Sequence, residues 1–346
     1  MTSRRWQIGL IGCGWAGQQH ARAIKALPER AEIRALADVN LDLAQTKAYQ
    51  WQVRSWTDHY QELFKSQNLD AVSICLPHDI HAPAAIEALQ AGLHVLVEKP
   101  LAVTLAQAEA MIAAAETAQV QLMVAENIRF HSTYLKVADL IQAGILGDIF
   151  LIRISREHEM HDYLRQRPWF LEQASAGIMM SGGIHDFELL RMLGGEIDHV
   201  YGLIAPKVLP EMVADDTSVV AVGLTNGVTA LIVESFSLKT PRPGVHGTVH
   251  GSQGSLWFYD DRIHLYTAPK DGRQDLVEEI AIPQQDTFIA EITHFFDCLD
   301  HHVEPITSGR EQRKPLQAVV ATIESFRRGE RVYLKQLKGG SSRELF

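Results

Sequence analysis

At 346 residues the chain exceeds what a single hydrophobic core usually supports, so two domains are expected. Hydrophobic residues make up 46% and charged residues 21%, which excludes a largely disordered protein. The formal charge of −10, with no compensating basic patch, argues against nucleic acid as a partner.

From Trp6 to about Ala125, short apolar runs alternate with longer segments of helical spacing, the pattern of βα units on a parallel sheet. The runs are Gln7–Ile11, Glu32–Ala37, Ala71–Leu76, His94–Val97 and Gln121–Ala125, each short, as buried parallel strands tend to be. Helices are predicted at Ala16–Leu27, stopped by Pro28, and at Leu41–Tyr49, His59–Lys65, Ala82–Gln90 and Leu105–Thr117. Gly92 closes the fourth, and Thr104 with Gln107 has the form of a capping box at the fifth. After about Asp148 the strands lengthen and become rich in β-branched residues. Ser218–Leu224 and Val228–Phe236 flank Asn226-Gly227, a strong hairpin signal because both residues tolerate positive φ. Further strands are predicted at Phe150–Ser155, Val200–Ile204, Gly247–His250, Ser255–Tyr259 and Ile263–Tyr266, a late helix at Pro315–Arg327 ending at Gly329, and a frayed tail at Gly339–Ser342. The expected architecture is α/β: a doubly wound Rossmann domain over 1–126, then an α+β domain over 127–346 built on a mostly antiparallel open sheet.

Cys13, Cys75 and Cys298 are odd in number and form no CxxC pair, which fits a reducing, cytoplasmic compartment. The apolar run after Arg4 and Arg5 is broken by Gly12 and Gly14, too short for a signal peptide, and no stretch approaches the roughly 18 apolar residues of a membrane span.

Three constellations carry chemistry. Gly12-Cys13-Gly14-Trp15-Ala16-Gly17 follows the first strand and opens a helix, the full context of a dinucleotide-binding turn: Gly12 for the turn, Gly14 for approach to a pyrophosphate, Gly17 for helix–strand packing. Asp38, at the end of the second strand, stands close to the interval at which a carboxylate receives ribose hydroxyls; it would repel a 2′-phosphate, so NAD is expected over NADP. Glu98-Lys99-Pro100 comes just past a strand, where ligands bind open parallel sheets, so the Lys99 ammonium can stabilise an alkoxide that develops as hydride moves. A surface lysine before a turn-forming proline is the plainer alternative. Lastly, a glycine-rich approach from Gly177 through Ser181, Gly182 and Gly183 delivers His185 into the first turn of a helix, where an imidazole can exchange the hydroxyl proton. Among sixteen histidines, one at a helix start also reads as a cap or packing residue.

These constellations, in this order, resemble the glucose–fructose oxidoreductase, inositol dehydrogenase and rhizopine-catabolism (Gfo/Idh/MocA) family over nearly the whole chain. Leu76-Pro77-His78-Asp79-Ile80-His81 matches its Pro-Asn-x-x-His stretch, Glu98-Lys99-Pro100 its EKP signature and Asn127-Ile128-Arg129-Phe130 its N-x-R-[FY] segment. The resemblance implies Lys99 and His185 as the catalytic pair, a Lys-Pro peptide that is often cis, and a cofactor site drawing on Leu76, Pro77, His78, His81, Glu98, Lys99 and Asn127 besides the glycine turn. It implies a secondary alcohol of a sugar, cyclitol or sugar derivative as substrate, bound by Lys99, Arg129, Ser181 and His185, and a homodimer or homotetramer formed through the C-terminal sheet. Arg156 and His158, at the end of a predicted strand, border the substrate in this reading, although Arg156 could equally pair with Glu157 or Glu159. One departure stands out: the family frequently has Asp four residues before the histidine, where this chain has Ser181, so another group must tune His185 or Lys99 must carry more of the proton transfer. An enzyme that recycles bound NAD for elimination, epimerisation or glycoside cleavage, or a dinucleotide-sensing regulator, remains open at this point. His78 with His81, and His158 with His161, have metal-like spacing but lack a matched ligand set, so no metal is expected.

Overall fold

A computed structural model describes residues 5–66, 68–239, 246–267 and 276–337; the expected frayed tail lies outside them. The chain forms two compact units, one running up to Asn127 and regaining Asp286–Arg313, the other comprising Ile128–Gln285 and the chain from Lys314 onward.

The first unit alternates β1 (Trp6–Ile11), α1 (Trp15–Lys25), β2 (Ala31–Ala37), α2 (Leu41–Trp51), β3 (Ser55–Thr57), α3 (Tyr60–Ser66), β4 (Ala71–Ile74), α4 (His78–Gln90), β5 (His94–Glu98), α5 (Leu105–Ala118) and β6 (Leu122–Ala125). All six strands are parallel, in the order β3-β2-β1-β4-β5-β6. The order reverses between β1 and β4, the switch point at which such sheets bind ligands beyond their carboxyl ends. Leu10, Leu36, Ile74, Leu96 and Val124 are each 1% exposed or less, so the central strands are covered on both faces, which is why they read as unbroken apolar runs. Thr104 caps α5 by accepting from the Gln107 amide, as its capping box predicts. β3 was not predicted: three residues at the sheet edge leave too short a stretch to show a period. α4 begins at His78 rather than Ala82, with Pro77 at its N-cap, and runs on through Pro83, which offers no N–H to the Asp79 carbonyl.

The second unit contains α6 (Ser132–Gln142), β7 (Ile149–Glu157), α7 (His161–Arg165), α8 (Pro168–Glu172), α9 (Ile184–Gly194), β8 (Ile197–Ile204), β9 (Thr217–Leu224), β10 (Thr229–Ser235), β11 (Gly247–Gly251), β12 (Gly254–Phe258), β13 (Arg262–Thr267) and β14 (Leu276–Ala281). Its sheet is ordered β14-β13-β12-β11-β7-β10-β9-β8, and only β7 and β10 run parallel. The β9–β10 hairpin turns at Asn226-Gly227, where Gly227 adopts φ +90°.

The chain then returns to the first unit. Asp286 accepts from the amides of Phe288 and Ile289 and so starts α10 (Thr287–His301), whose Asp297 and Asp300 bind Arg30 at 2.7 Å each. Asp300 also accepts from the Trp6 indole at 2.8 Å. α11 (Gly309–Arg328) follows, beginning before the predicted Pro315, and β15 (Val332–Tyr333) joins β8 as the edge of the second sheet. A second domain running unbroken over 127–346 is therefore corrected: Asp286–Arg313 belongs with the first unit, reaching Trp6 and Arg30 through α10 and Val124 of β6 through Thr307. No helix among the described residues is long and apolar enough to cross a membrane.

Candidate active site

In the first unit the glycine turn is built by close backbone packing. Gly12 holds φ +94°, and a Cβ there would stand 2.2 Å from the Cys75 carbonyl oxygen. A Cβ on Gly17 would stand 1.9 Å from the Gly12 carbonyl oxygen. Around Gly14, by contrast, a Cβ would meet nothing within 4 Å, and α1 starts there with no side-chain cap and no acidic residue in its first turn. Its first amides thus face open space with the positive end of the helix dipole behind them, an arrangement that accepts a pyrophosphate. Asp38 takes the Cys13 amide on one carboxylate oxygen at 2.7 Å and the Asn40 amide on the other at 2.9 Å. The residues present therefore fit a dinucleotide, with the phosphates at Gly14–Ala16 and the ribose hydroxyls at Asp38. Asp38→Ala is expected to weaken NAD at least about tenfold, since a charge-assisted pair is lost; titration calorimetry would show it, and unchanged affinity would refute the assignment.

The other predicted cofactor residues divide. The Cys13 side chain is fully buried, its thiol pushed up to about 12 by burial and then by Asp38, and its amide is given to Asp38. Trp15 is 49% exposed and meets Phe288 edge-on at 5.8 Å. His81 is buried, with its ring nitrogens 2.8 Å from the Pro100 carbonyl and 2.7 Å from the Leu76 carbonyl, so it ties those two loops together from inside the unit. His78 is also buried, whereas Leu76 and Pro77 are partly exposed. Asn127 donates to Thr287 Oγ1 at 3.3 Å.

Lys99 stands directly beyond β5, half-buried, and the Lys99–Pro100 peptide is cis. The Glu98 carboxylate accepts from the Lys99 amide at 3.1 Å, and its other oxygen lies 3.3 Å from His20 Nε2. Burial opposes ionisation of Glu98, but His20 and Lys99 outweigh it and hold the carboxyl below its usual range.

In the second unit a π-helical turn, Met179–Gly183, feeds directly into α9. From Ser175 to Leu190 every residue is buried except His185. A helix start wholly embedded in the core thus turns one imidazole outward. Ser181 goes the other way: it is 5% exposed and donates to the Ala176 carbonyl at 2.9 Å. Arg156 pairs with neither Glu157 nor Glu159 but with Asp186, through two bonds of 3.0 and 2.7 Å to one oxygen. Arg129 lies 3.2 Å from Glu188, a buried carboxylate that Arg191 also holds at 2.7 Å. Both arginines are thereby occupied in maintaining the fold around α9. His158 is half-buried, and its amide donates to Ser235. No group of three or more His, Cys, Asp or Glu among the described residues is arranged to hold a metal ion.

Sequence reasoning missed a fully buried acid, Glu234, and a half-buried one, Asp215, whose charge bears on it. Glu234 sits on β10 in phase with Ala230 and Ile232, the signal that it faces the core. Asp215 lies in a loop, its carboxyl raised to about 6 by burial.

A parallel six-stranded sheet, an open glycine turn and a carboxylate at the second strand define a dinucleotide-binding domain. Residues 6–126 match the family described as "Oxidoreductase family, NAD-binding Rossmann fold", and residues 134–257 match its GFO/IDH/MocA C-terminal domain. The chain belongs to the Gfo/Idh/MocA family, and its cofactor is NAD. It is 28% identical to D-apiose dehydrogenase of Paraburkholderia graminis, across 97% of this chain and 92% of that one. It is 26% identical to myo-inositol 2-dehydrogenase of Thermotoga maritima, across 96% and 100%. A levoglucosan dehydrogenase solved with NADH and levoglucosan shares the fold, with a TM-score of 0.87 at 21% identity across 96% of this chain and 100% of that one.

Proposed function

We propose that the protein is an NAD-dependent dehydrogenase that interconverts one secondary alcohol of a sugar, cyclitol or sugar derivative with its ketone. The observation that carries this reading is Lys99 at the carboxyl end of β5, beyond the switch-point sheet of a domain that matches NAD-binding oxidoreductases. Relatives named for D-apiose and myo-inositol support the substrate class. NAD, when bound, supplies a hydride acceptor at its nicotinamide ring. Lys99 Nζ donates to the substrate oxygen and stabilises the charge that grows on it as the C–H bond breaks. His185 takes the hydroxyl proton in oxidation and returns it in reduction, a task to which imidazole chemistry is suited. Arg129, Arg156 and Ser181, each already engaged within the fold, act in this reading by holding α9 and its approach in place.

Purified protein supplied with NAD and a panel of cyclitols, aldoses and sugar acids is expected to produce the absorbance of reduced nicotinamide with at least one neutral polyol. NAD binding without reduction across the panel would overturn the reading. The same proposal includes a homodimer or homotetramer formed through the larger sheet, whose strands expose Phe150, Tyr201 and Leu203. A monomer mass by light scattering would remove that part.

A further inference from the structure

The inward rows of two neighbouring strands end in opposite charges. On β7, Ile152 and Ile154 face the core and Arg156 follows in phase; on β10, Ala230 and Ile232 are followed by Glu234. The parallel ladder sets Glu234 beside Arg156. Yet the guanidinium gives both its bonds to Asp186, the residue after His185 in the first turn of α9. Glu234 is fully buried, and neither of its carboxyl oxygens accepts from any donor among the described residues.

The second carboxylate oxygen of Asp186 is likewise buried and accepts from no donor among the described residues, so two carboxyls around one guanidinium both keep unsatisfied oxygens. Two buried carboxyls beside a single guanidinium are accommodated when one of them keeps its proton. Asp186 receives the guanidinium and Glu234 receives no donor, so Glu234 is the acid of the two. Burial, and then the Asp186 charge, push Glu234 well above the usual carboxylate range, with Asp215 adding in the same direction and Arg156 opposing. Ser218 is the opposite residue on β9, and Tyr134 faces Arg156. The same carboxyl fixes the turn before α9: its oxygens stand 3.1 Å from where a Cβ on Gly183 would lie and 3.5 Å from that of Gly182. Those two glycines make room for an acid.

We propose that Glu234 donates its proton to Asp186 and is thereby a positioning residue for His185, holding the Met179–Gly183 turn and the first turn of α9 through an electrically neutral Arg156–Asp186–Glu234 cluster. The positioning half rests on the role of His185 proposed above; the proton does not. An ionised Glu234 would leave the cluster with a net negative charge beside the imidazole, and the shared proton removes it.

Two variants test this. Below the ordinary carboxylate range, folded and unfolded wild-type chains both hold the Glu234 proton. As pH rises through that range the unfolded chain releases a proton that the folded protein keeps, so the wild type loses stability relative to Glu234→Gln, which has none to release. The Tm of Glu234→Gln minus that of the wild type is therefore expected to grow from about pH 5 to about pH 8. A difference that does not change with pH overturns the proton assignment. In turnover with NAD, Glu234→Gln is expected to keep kcat and its pH profile, while Glu234→Leu loses at least about tenfold in kcat at unchanged KM for NAD, as displacement of a reacting group does. Equal loss in both variants, or none in Glu234→Leu, overturns the positioning role. A wild type that binds NAD but turns over no polyol sinks the reading of His185 and the positioning half with it, and the Tm series then decides the proton alone.

Discussion

Replacing Lys99 by alanine is expected to lower kcat by about 10³-fold or more, because it removes the group aimed at the substrate oxygen, while NAD affinity stays within about threefold. The separation follows from where the parts lie within the first unit. The proposed phosphate and ribose contacts are at Gly14–Ala16 and Asp38, whereas Lys99 stands beyond β5, so truncation is expected to leave them intact. Glu98 then keeps its bond to the residue-99 amide, which is backbone and survives the substitution. Lys99→Arg separates charge from proton transfer, because a guanidinium stays protonated and cannot cycle. With His185 moving the proton, Lys99 has charge alone to stabilise, so arginine is expected to recover part of the rate lost in Lys99→Ala; no recovery would show that Lys99 carries the proton as well. Near-normal turnover in Lys99→Ala would remove the assignment.

Gly17→Ala should be strongly damaging. Its Cβ would fall 1.9 Å from the Gly12 carbonyl oxygen, backbone that cannot swing aside as a side chain could. The first turn of α1 has to move off the β1 turn, and the amides that receive the pyrophosphate move with it. Overpacking of this kind costs about 1–3 kcal/mol, sometimes more. The expected result is a Tm several degrees lower together with a loss of NAD binding of about 100-fold or greater, since a misplaced anion site loses several charge-assisted bonds at once. Gly14→Ala is the control, because nothing lies within 4 Å of a Cβ there. That protein should keep its Tm, and any loss of NAD affinity then reports the methyl group crowding the phosphates. Equal Tm values for the Gly17 and Gly14 variants would show that the packing argument is wrong.

The Rossmann half was legible because each part of it is local. Short apolar runs, GxGxxG after a strand and Asp38 after the next all lie within reach of a single βα unit, and the strands at Trp6–Ile11 and His94–Glu98 fall within a residue of where the pattern puts them. The hairpin at Asn226-Gly227 was legible for the same reason. α10 was missed although Asp286 and the apolar spacing of Ile292, Phe295, Phe296 and Leu299 carry its signature, and its attachment to Trp6 and Arg30 spans most of the chain, which no window can see. Ser181 and Arg156 show the limit at the level of the site. Their positions beside the histidine helix and at a strand end suggested ligand contacts, but burial and partner choice are three-dimensional facts. Glu234 had a signal in its strand phase, overlooked because an acid on an apolar strand reads first as a residue facing water.

The return of Asp286–Arg313 to the first unit has a temporal side. On a ribosome, β1 to β6 emerge long before α10 exists, so Arg30 and the Trp6 indole wait for Asp297 and Asp300 while more than half of the chain is made. The nascent first unit thus has its whole sheet but lacks α10 at the stage when domains of contiguous sequence fold as they emerge. A fragment ending at Asn127 would be arrested in that unfinished state, and supplying the segment 286–313 as a separate peptide should restore its cooperative melting.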